Sequence, residues 1–334
     1  MRLLFKLIKI LLLLGIVLIV ASGGWLFHFA NSPLPVGQYP KTFTIRHDSN
    51  LRAVTRQLTH QKVLNEPWSF WLLARLSGRS TQLKAGSYQL TEAITPLILL
   101  DKLQKGDFHL SVVTIIEGWT FRQMREALDR HAHLRHDTQG LTDEEILNRL
   151  DIPQRNPEGL FFPDTYFAAL GSSDLQILRR AHETMQQHLE EAWNERAADL
   201  PYRDAYEALI MASLIEKETG RASDRTLIGG VFVNRLKKGM RLQTDPSVIY
   251  GLGAKFDGDL RKADLQNDTP YNTYTRGGLP PTPIALPGLQ SLQAAVNPAR
   301  TDALYFVARG DGSSHFSGSL DEHNRAVDKY IRSR

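Results

Sequence analysis

Between Ile10 and Ala30 the chain carries no Asp, Glu, Lys or Arg. At 1.5 Å of rise per residue, a helix of that length covers the roughly 30 Å hydrocarbon core of a bilayer. The charges flanking the run are Arg2, Lys6 and Lys9, all on its N-terminal side. The positive-inside rule then puts the N-terminus in the cytoplasm and everything after residue 30 on the far side of the cytoplasmic (inner) membrane, a single-pass, periplasmic body. A cleaved signal peptide competes with this, because Val20, Ala21, Ser22 and Gly23 follow an apolar run. Trp25, Leu26, Phe27 and Phe29 continue the hydrophobic stretch past any such site and favour an uncleaved anchor.

The anchor also accounts for the charge. The chain holds 40 Lys and Arg against 36 Asp and Glu, and three of the basic residues lie in the first ten positions. The body is therefore close to neutral and has no Lys/Arg block, which argues against nucleic acid as a partner. With 42% apolar and 23% charged residues the body is globular, and a chain beginning near Ser32 is expected to be soluble. No cysteine is present, which excludes disulfides, zinc–thiolate and Fe–S sites and a thiol nucleophile. His315 and His323 lack the i, i+4 spacing of a helical metal site, so no metal and no cofactor are expected.

After the anchor (1–30), Asn31 to Pro40 is rich in Pro, Ser and Gly and reads as a tether. A weak repeat follows at an offset of 70 residues: Thr44, Ile45, Leu51, Arg52, Val54 and Leu58 correspond to Thr114, Ile115, Phe121, Arg122, Met124 and Leu128. Both copies read as a short strand, a polar turn with a cap (Asp48 or Ser49; Thr120) and an amphipathic helix. Between them come a Trp-rich helix after Asn65, a strand at Gly86 to Leu90 and a helix near Pro96 to Leu103. Residues 41–150 are thus a small α+β module with its connector, and residues 151–334 a mixed helical domain. In the latter, helices are expected at about Asp174 to Ala198, Tyr206 to Glu218, Thr226 to Lys238, Pro246 to Leu252 and Leu320 to Ile331. A hairpin is expected around Gly310 to Gly312, and Thr269 to Pro287 reads as loop.

The residues that could carry chemistry lie in this second domain. The helix ending at Glu218 is apolar on almost every side, so it belongs in a core. Glu216 and Glu218 then face the negative end of a buried helix, which raises a carboxyl pKa toward what a general acid needs. Glu218 shares the face of Met211, Leu214 and Ile215, and Glu216 that of Leu209 and Ala212. A solvated Glu-Lys-Glu tip is the competing reading. Gln243, Thr244 and Asp245 precede a helix that Asp245 could simply cap. Tyr271, Asn272 and Tyr274 suit sugar stacking and hydrogen bonding, or ordinary loop packing. Glu158 and Asp164 sit in an aromatic segment with two turn signals, Glu158 to Tyr166.

With Glu158 to Tyr166, Ala212 to Thr219, Arg241 to Gly251, Tyr271 to Tyr274 and Gly278 to Pro283 in one order, the sequence resembles the endolytic murein transglycosylases of the MltG (YceG-like) family. The resemblance implies a LysM-like first module and a lytic transglycosylase domain with one essential glutamate, matching Glu218 here. Thr219 stands where related enzymes have Ser, and Tyr271-Asn272 matches their Tyr-Asn element. It implies binding of glycan strands by Gln243, Thr244, Asp245, Tyr271, Asn272, Tyr274, Glu158 and Asp164. It also implies cleavage of the MurNAc–GlcNAc β-1,4 bond of nascent peptidoglycan to 1,6-anhydro ends, beside peptidoglycan synthases (penicillin-binding proteins). Two rivals stand: a hydrolytic muramidase with Asp245 or Asp164 as second carboxylate, and a non-catalytic glycan-binding membrane protein.

Overall fold

The uncharged run forms one helix, α1 (Arg2–Asn31), of which Phe5–Asn31 is long and apolar enough to cross a membrane. The computed structural model describes residues 2–46 and 48–332. The side chain of Arg2 and residues 333–334, the end of the expected second domain, lie outside that set. Packing divides the chain into two compact units: Met1–Ser111 with Phe167–Gly171, and Val112–Tyr166 with Ser172–Arg334. Residues 112–150, grouped by sequence with the first module, pack in the second unit.

In the first unit β1 (Lys41–Ile45) is followed by α2 (Leu51–His60), α3 (Pro67–Leu76), β2 (Gly86–Leu90) and α4 (Pro96–Lys105). β1 and β2 pair antiparallel, with Phe43 opposite Tyr88, and these rings stack at 5.4 Å. Alternation along β1 turns Phe43 and Ile45 inward. Asn50 caps α2, accepting from the Ala53 amide, rather than Asp48 or Ser49. Asp48 is itself a left-handed turn residue (φ 57°), and the Ser49 hydroxyl accepts from Gln57. The end of α1 joins this core. Ala30 and Leu34 are buried in it, and Leu26 and Phe29 pack against it. The segment expected as a tether is docked, with the Leu34 amide donating to the Ile94 carbonyl at 2.8 Å.

The chain passes to the second unit along β3 (Leu110–Thr114) and returns briefly along its sheet partner β4 (Thr165–Ala169). Between these come α5 (Phe121–Asp129), whose Thr120–Gln123 capping box bears out Thr120 as its cap, and α6 (Asp143–Arg149), with a second box at Thr142 and Glu145. Then follow α7 (Asp174–Asn194), α8 (Ala205–Glu218), α9 (Ala222–Lys237), α10 (Asp245–Leu252), α11 (Lys262–Gln266) and α12 (Leu289–Val296). The hairpin of β5 (Tyr305–Ala308) and β6 (Ser314–Ser317) and helix α13 (Leu320–Val327) close the unit. Every residue of α8 from Ala208 to Ile215 is buried, because α7, α9, α10 and α12 pack around it. The fold is mixed α+β, with one N-terminal apolar helix and small two-stranded sheets.

Candidate active site

The buried helix α8 delivers Glu218 as its last residue, half-buried, before the extended cap residue Thr219. Four influences act on this carboxyl. Burial pushes its pKa up from 4.5 to about 7, and the negative charge of Asp245 adds to the rise. A hydrogen bond from the Thr244 hydroxyl to Oε1 and the positive Arg235 oppose it. Both protonation states therefore have support, and the group is poised to give up or accept a proton near neutral pH.

The Thr244 hydroxyl is free for this contact because of how α10 begins. Thr244 occupies the position before the first turn, and its side chain makes no cap bond. Asp245 is the first helical residue and not the cap, a correction to the sequence reading, and its Oδ1 accepts from the Tyr274 hydroxyl at 2.5 Å. The Thr244 amide donates to the Thr273 hydroxyl oxygen, which also meets Ser247 at 2.9 Å. Gln243 takes a left-handed conformation (φ 49°), its amide bonded to the Thr273 carbonyl. Arg235, buried in α9, holds the same loop by donating to the carbonyl of Leu242 at 2.9 Å, and donates to that of Leu304. Its guanidinium lies 5.1 Å from the centre of the Tyr305 ring.

A second buried carboxyl belongs to the same unit. Glu158 is 4% exposed, and burial lifts its pKa to about 7 against three hydrogen bonds that lower it, from the Phe121 and Gly159 amides and the Tyr250 hydroxyl. Oε1 accepts from the Phe121 amide in the first turn of α5 at 2.9 Å, and Oε2 from the Tyr250 hydroxyl at 3.2 Å. Tyr250 packs edge-on against Tyr271, whose hydroxyl meets that of Thr282 at 2.9 Å. Gly159 has φ 80°, and a Cβ there would lie 2.5 Å from Pro283. That contact fits together two of the motifs singled out by sequence, Glu158 to Tyr166 and Gly278 to Pro283.

Among the expected residues, Glu218, Gln243, Thr244, Asp245 and Tyr274 thus converge on one network, and Glu158 and Tyr271 on a second. Asn272 is fully buried and spent on its own loop: its amide nitrogen donates to the carbonyls of Asp264, Leu265 and Asn267, and its oxygen accepts from the Tyr274 amide. Asp164 is exposed, its carboxylate accepting from the Thr165 amide. Glu216 faces elsewhere, accepting from the Gly288 amide at 3.0 Å and pairing with Arg225 at 3.4 Å. Outside these networks, Asp129, His136 and Asp174 bring possible ligand atoms within 4.8 Å of one another. Asp174 already accepts from the amides of Asp137, Thr138 and Leu175 and from the Thr138 hydroxyl, so its carboxylate holds the start of α7 to the loop after His136.

The YceG-like family model matches residues 43–329, most of the chain. The chain belongs to the YceG-like family. A relative from Bacillus subtilis, an endolytic murein transglycosylase, is 34% identical over 93% of this chain and 91% of its own length. One of the same name from Streptococcus pneumoniae is 27% identical over 95% of this YceG-like chain and 64% of its own length. The crystal structure of a yceG-like protein from Listeria monocytogenes superposes with a TM-score of 0.54 at 30% identity, covering 85% of this chain and 98% of that one.

Proposed function

We propose that this YceG-like chain is an endolytic lytic transglycosylase of peptidoglycan, held at the membrane by α1, with Glu218 as its catalytic carboxyl. The observation that carries the reading is a single carboxyl at the end of a buried helix with pKa near 7, supported in both protonation states. Protonated Glu218 gives its proton to the oxygen bridging MurNAc C1 and GlcNAc C4, and the C1–O bond breaks. The resulting carboxylate then takes the proton from the MurNAc C6 hydroxyl as that oxygen attacks C1. The proton borrowed in the first step is restored in the second, and no water is consumed. Thr244 and Arg235 stabilise the carboxylate between the steps. We assign Gln243, Asp245, Tyr271 and Tyr274 to the lining that receives the strand, with Glu158 bracing it through Tyr250. The charges in the first turns of α1, Arg2, Lys6 and Lys9, favour a cytoplasmic N-terminus, which would put the body on the side where nascent strands and their synthases lie. The strand–helix–helix–strand order of β1, α2, α3 and β2 supports reading the first unit as LysM-like.

Glu218→Gln keeps size and hydrogen bonding but has no proton to give. On isolated glycan strands its rate should fall by about 10² to 10⁴. Wild-type products should be lighter by one water than hydrolytic fragments. Products with free reducing ends would instead favour a hydrolase with Asp245 as second carboxylate, and normal turnover by Glu218→Gln would remove Glu218 from the chemistry.

A further inference from the structure

We propose that the face of the first unit made by α2, α3 and the first turn of α4 docks on the anionic phospholipid surface from which α1 emerges. The last turns of α1 pack on α3 and α4, so these two helices flank the point where the span leaves the bilayer. A cleft of about 250 Å³ there is lined by Trp25, His28 and Phe29 of α1, by Leu64 to Glu66 and by Pro96. Large apolar side chains stand exposed on the same two helices: Trp68 (74%) and Leu76 (69%) on α3, Leu97 (39%) and Ile98 (47%) on α4. Exposed Trp beside a span is the pattern of an interfacial aromatic belt.

Charge supplies the second line. Trp68 and Trp71, with ring centres 5.5 Å apart, line a cleft of about 520 Å³ together with Arg52 and Arg56 of α2, and the Arg75 guanidinium lies 5.2 Å from the centre of the Trp71 ring. Among the described residues none of these arginines has a carboxylate partner. Asp101 and Asp107 are engaged by Arg79, Lys105 and Lys102, and Glu66 accepts from Ser69. Residues 31–111 hold ten Lys and Arg against five Asp and Glu, a net +5, whereas residues 112–334 carry a net −4. The near-neutral body is therefore polarised, with its positive charge in the unit that carries the anchor. Basic side chains close to an anionic leaflet are drawn to it over about a Debye length. A glycan strand is the less suitable occupant, because Leu76, Leu97 and Ile98 offer sugars no hydrogen bonds.

The test uses the full chain in nanodiscs whose phosphatidylcholine carries brominated acyl chains, with or without phosphatidylglycerol, and reads quenching of indole emission. With phosphatidylglycerol, wild type should be quenched more strongly than without it, and the excess should vanish as salt is raised. Trp68→Phe/Trp71→Phe should fall to the level set by Trp25, and Arg52→Glu/Arg56→Glu to the zwitterionic level. These side chains are solvent-facing or half-buried, and circular dichroism checks that the variants fold. Equal quenching in both lipids overturns the proposal. So does an emission change at Trp68 and Trp71 produced by purified glycan strands but not by lipid.

Discussion

Glu218 and Glu158 are two carboxyls at which burial outweighs hydrogen bonding, and both reach a pKa of about 7. A carboxyl whose pKa rises on folding holds its proton more tightly in the native state. Its contribution is complete below the unfolded value of about 4.5 and is lost as pH rises toward 7, by at most ~1.4 kcal/mol per pH unit. Glu158→Gln should therefore flatten the fall in thermal midpoint between pH 5 and 7.5. His323, held below its usual range by burial, works in the opposite sense, so the difference between variant and wild type isolates the glutamate. At Glu218 the Thr244 hydroxyl bond lowers the pKa, and Thr244→Val removes it while keeping the amide bond to Thr273. The alkaline limb of kcat/KM, which reports the protonated acid, should move to higher pH; a limb that stays put would mean that Thr244 does not tune this group. Glu218 was legible because a carboxyl ending an apolar helix is a local conflict. Arg235 was not, because its burial comes from a loop residue, Leu242, and from Leu304 just before β5, which the sequence does not tie to α9.

Elements with their own chemistry were readable, and those defined by neighbours were not. The two strand–turn–helix units stood out because their apolar positions alternate and then shift to helical spacing, and Thr120 carries a capping box. Helix α12 was missed: it is short, has no side-chain cap and follows Pro287 and Gly288, so it reads as the end of a loop. What defines its start is distant, the Glu216 carboxylate accepting from the Gly288 amide while pairing with Arg225. The side chains of Glu216 and Arg225 are only 6% and 9% exposed. Glu216→Ala removes the nearer carboxylate from a buried guanidinium, leaving it Gln290 and, at 3.9 Å, Glu117, and should cost about 1–3 kcal/mol in urea unfolding. Exposed Lys217→Ala, one residue along, should stay within about 0.5 kcal/mol. Equal effects would mean that the α8 tip acts as a solvated cluster and that the pair does not hold α12.

Over the whole molecule, composition and packing put the start of the folded body at different points. Composition changes at Ser32, where the apolar run has ended and polar residues begin. Packing begins earlier, because Ala30 belongs to the core that also holds Leu34, Phe43 and Tyr88, and Leu26 and Phe29 pack against it. Fully burying one large apolar side chain is worth about 1.5–3 kcal/mol, so removing the partly buried Leu26 and Phe29 together with Ala30 takes a real share of a small unit's stability. A chain starting at Ser32 should remain soluble yet be less stable in its first unit than one starting at Gly24. Amide exchange would locate the difference, with β1 and α4 exchanging faster in the shorter chain and the buried amides of α8 unchanged. If both chains protected β1 and α4 equally, the last turns of α1 would be membrane span alone, with no part in folding the unit they adjoin.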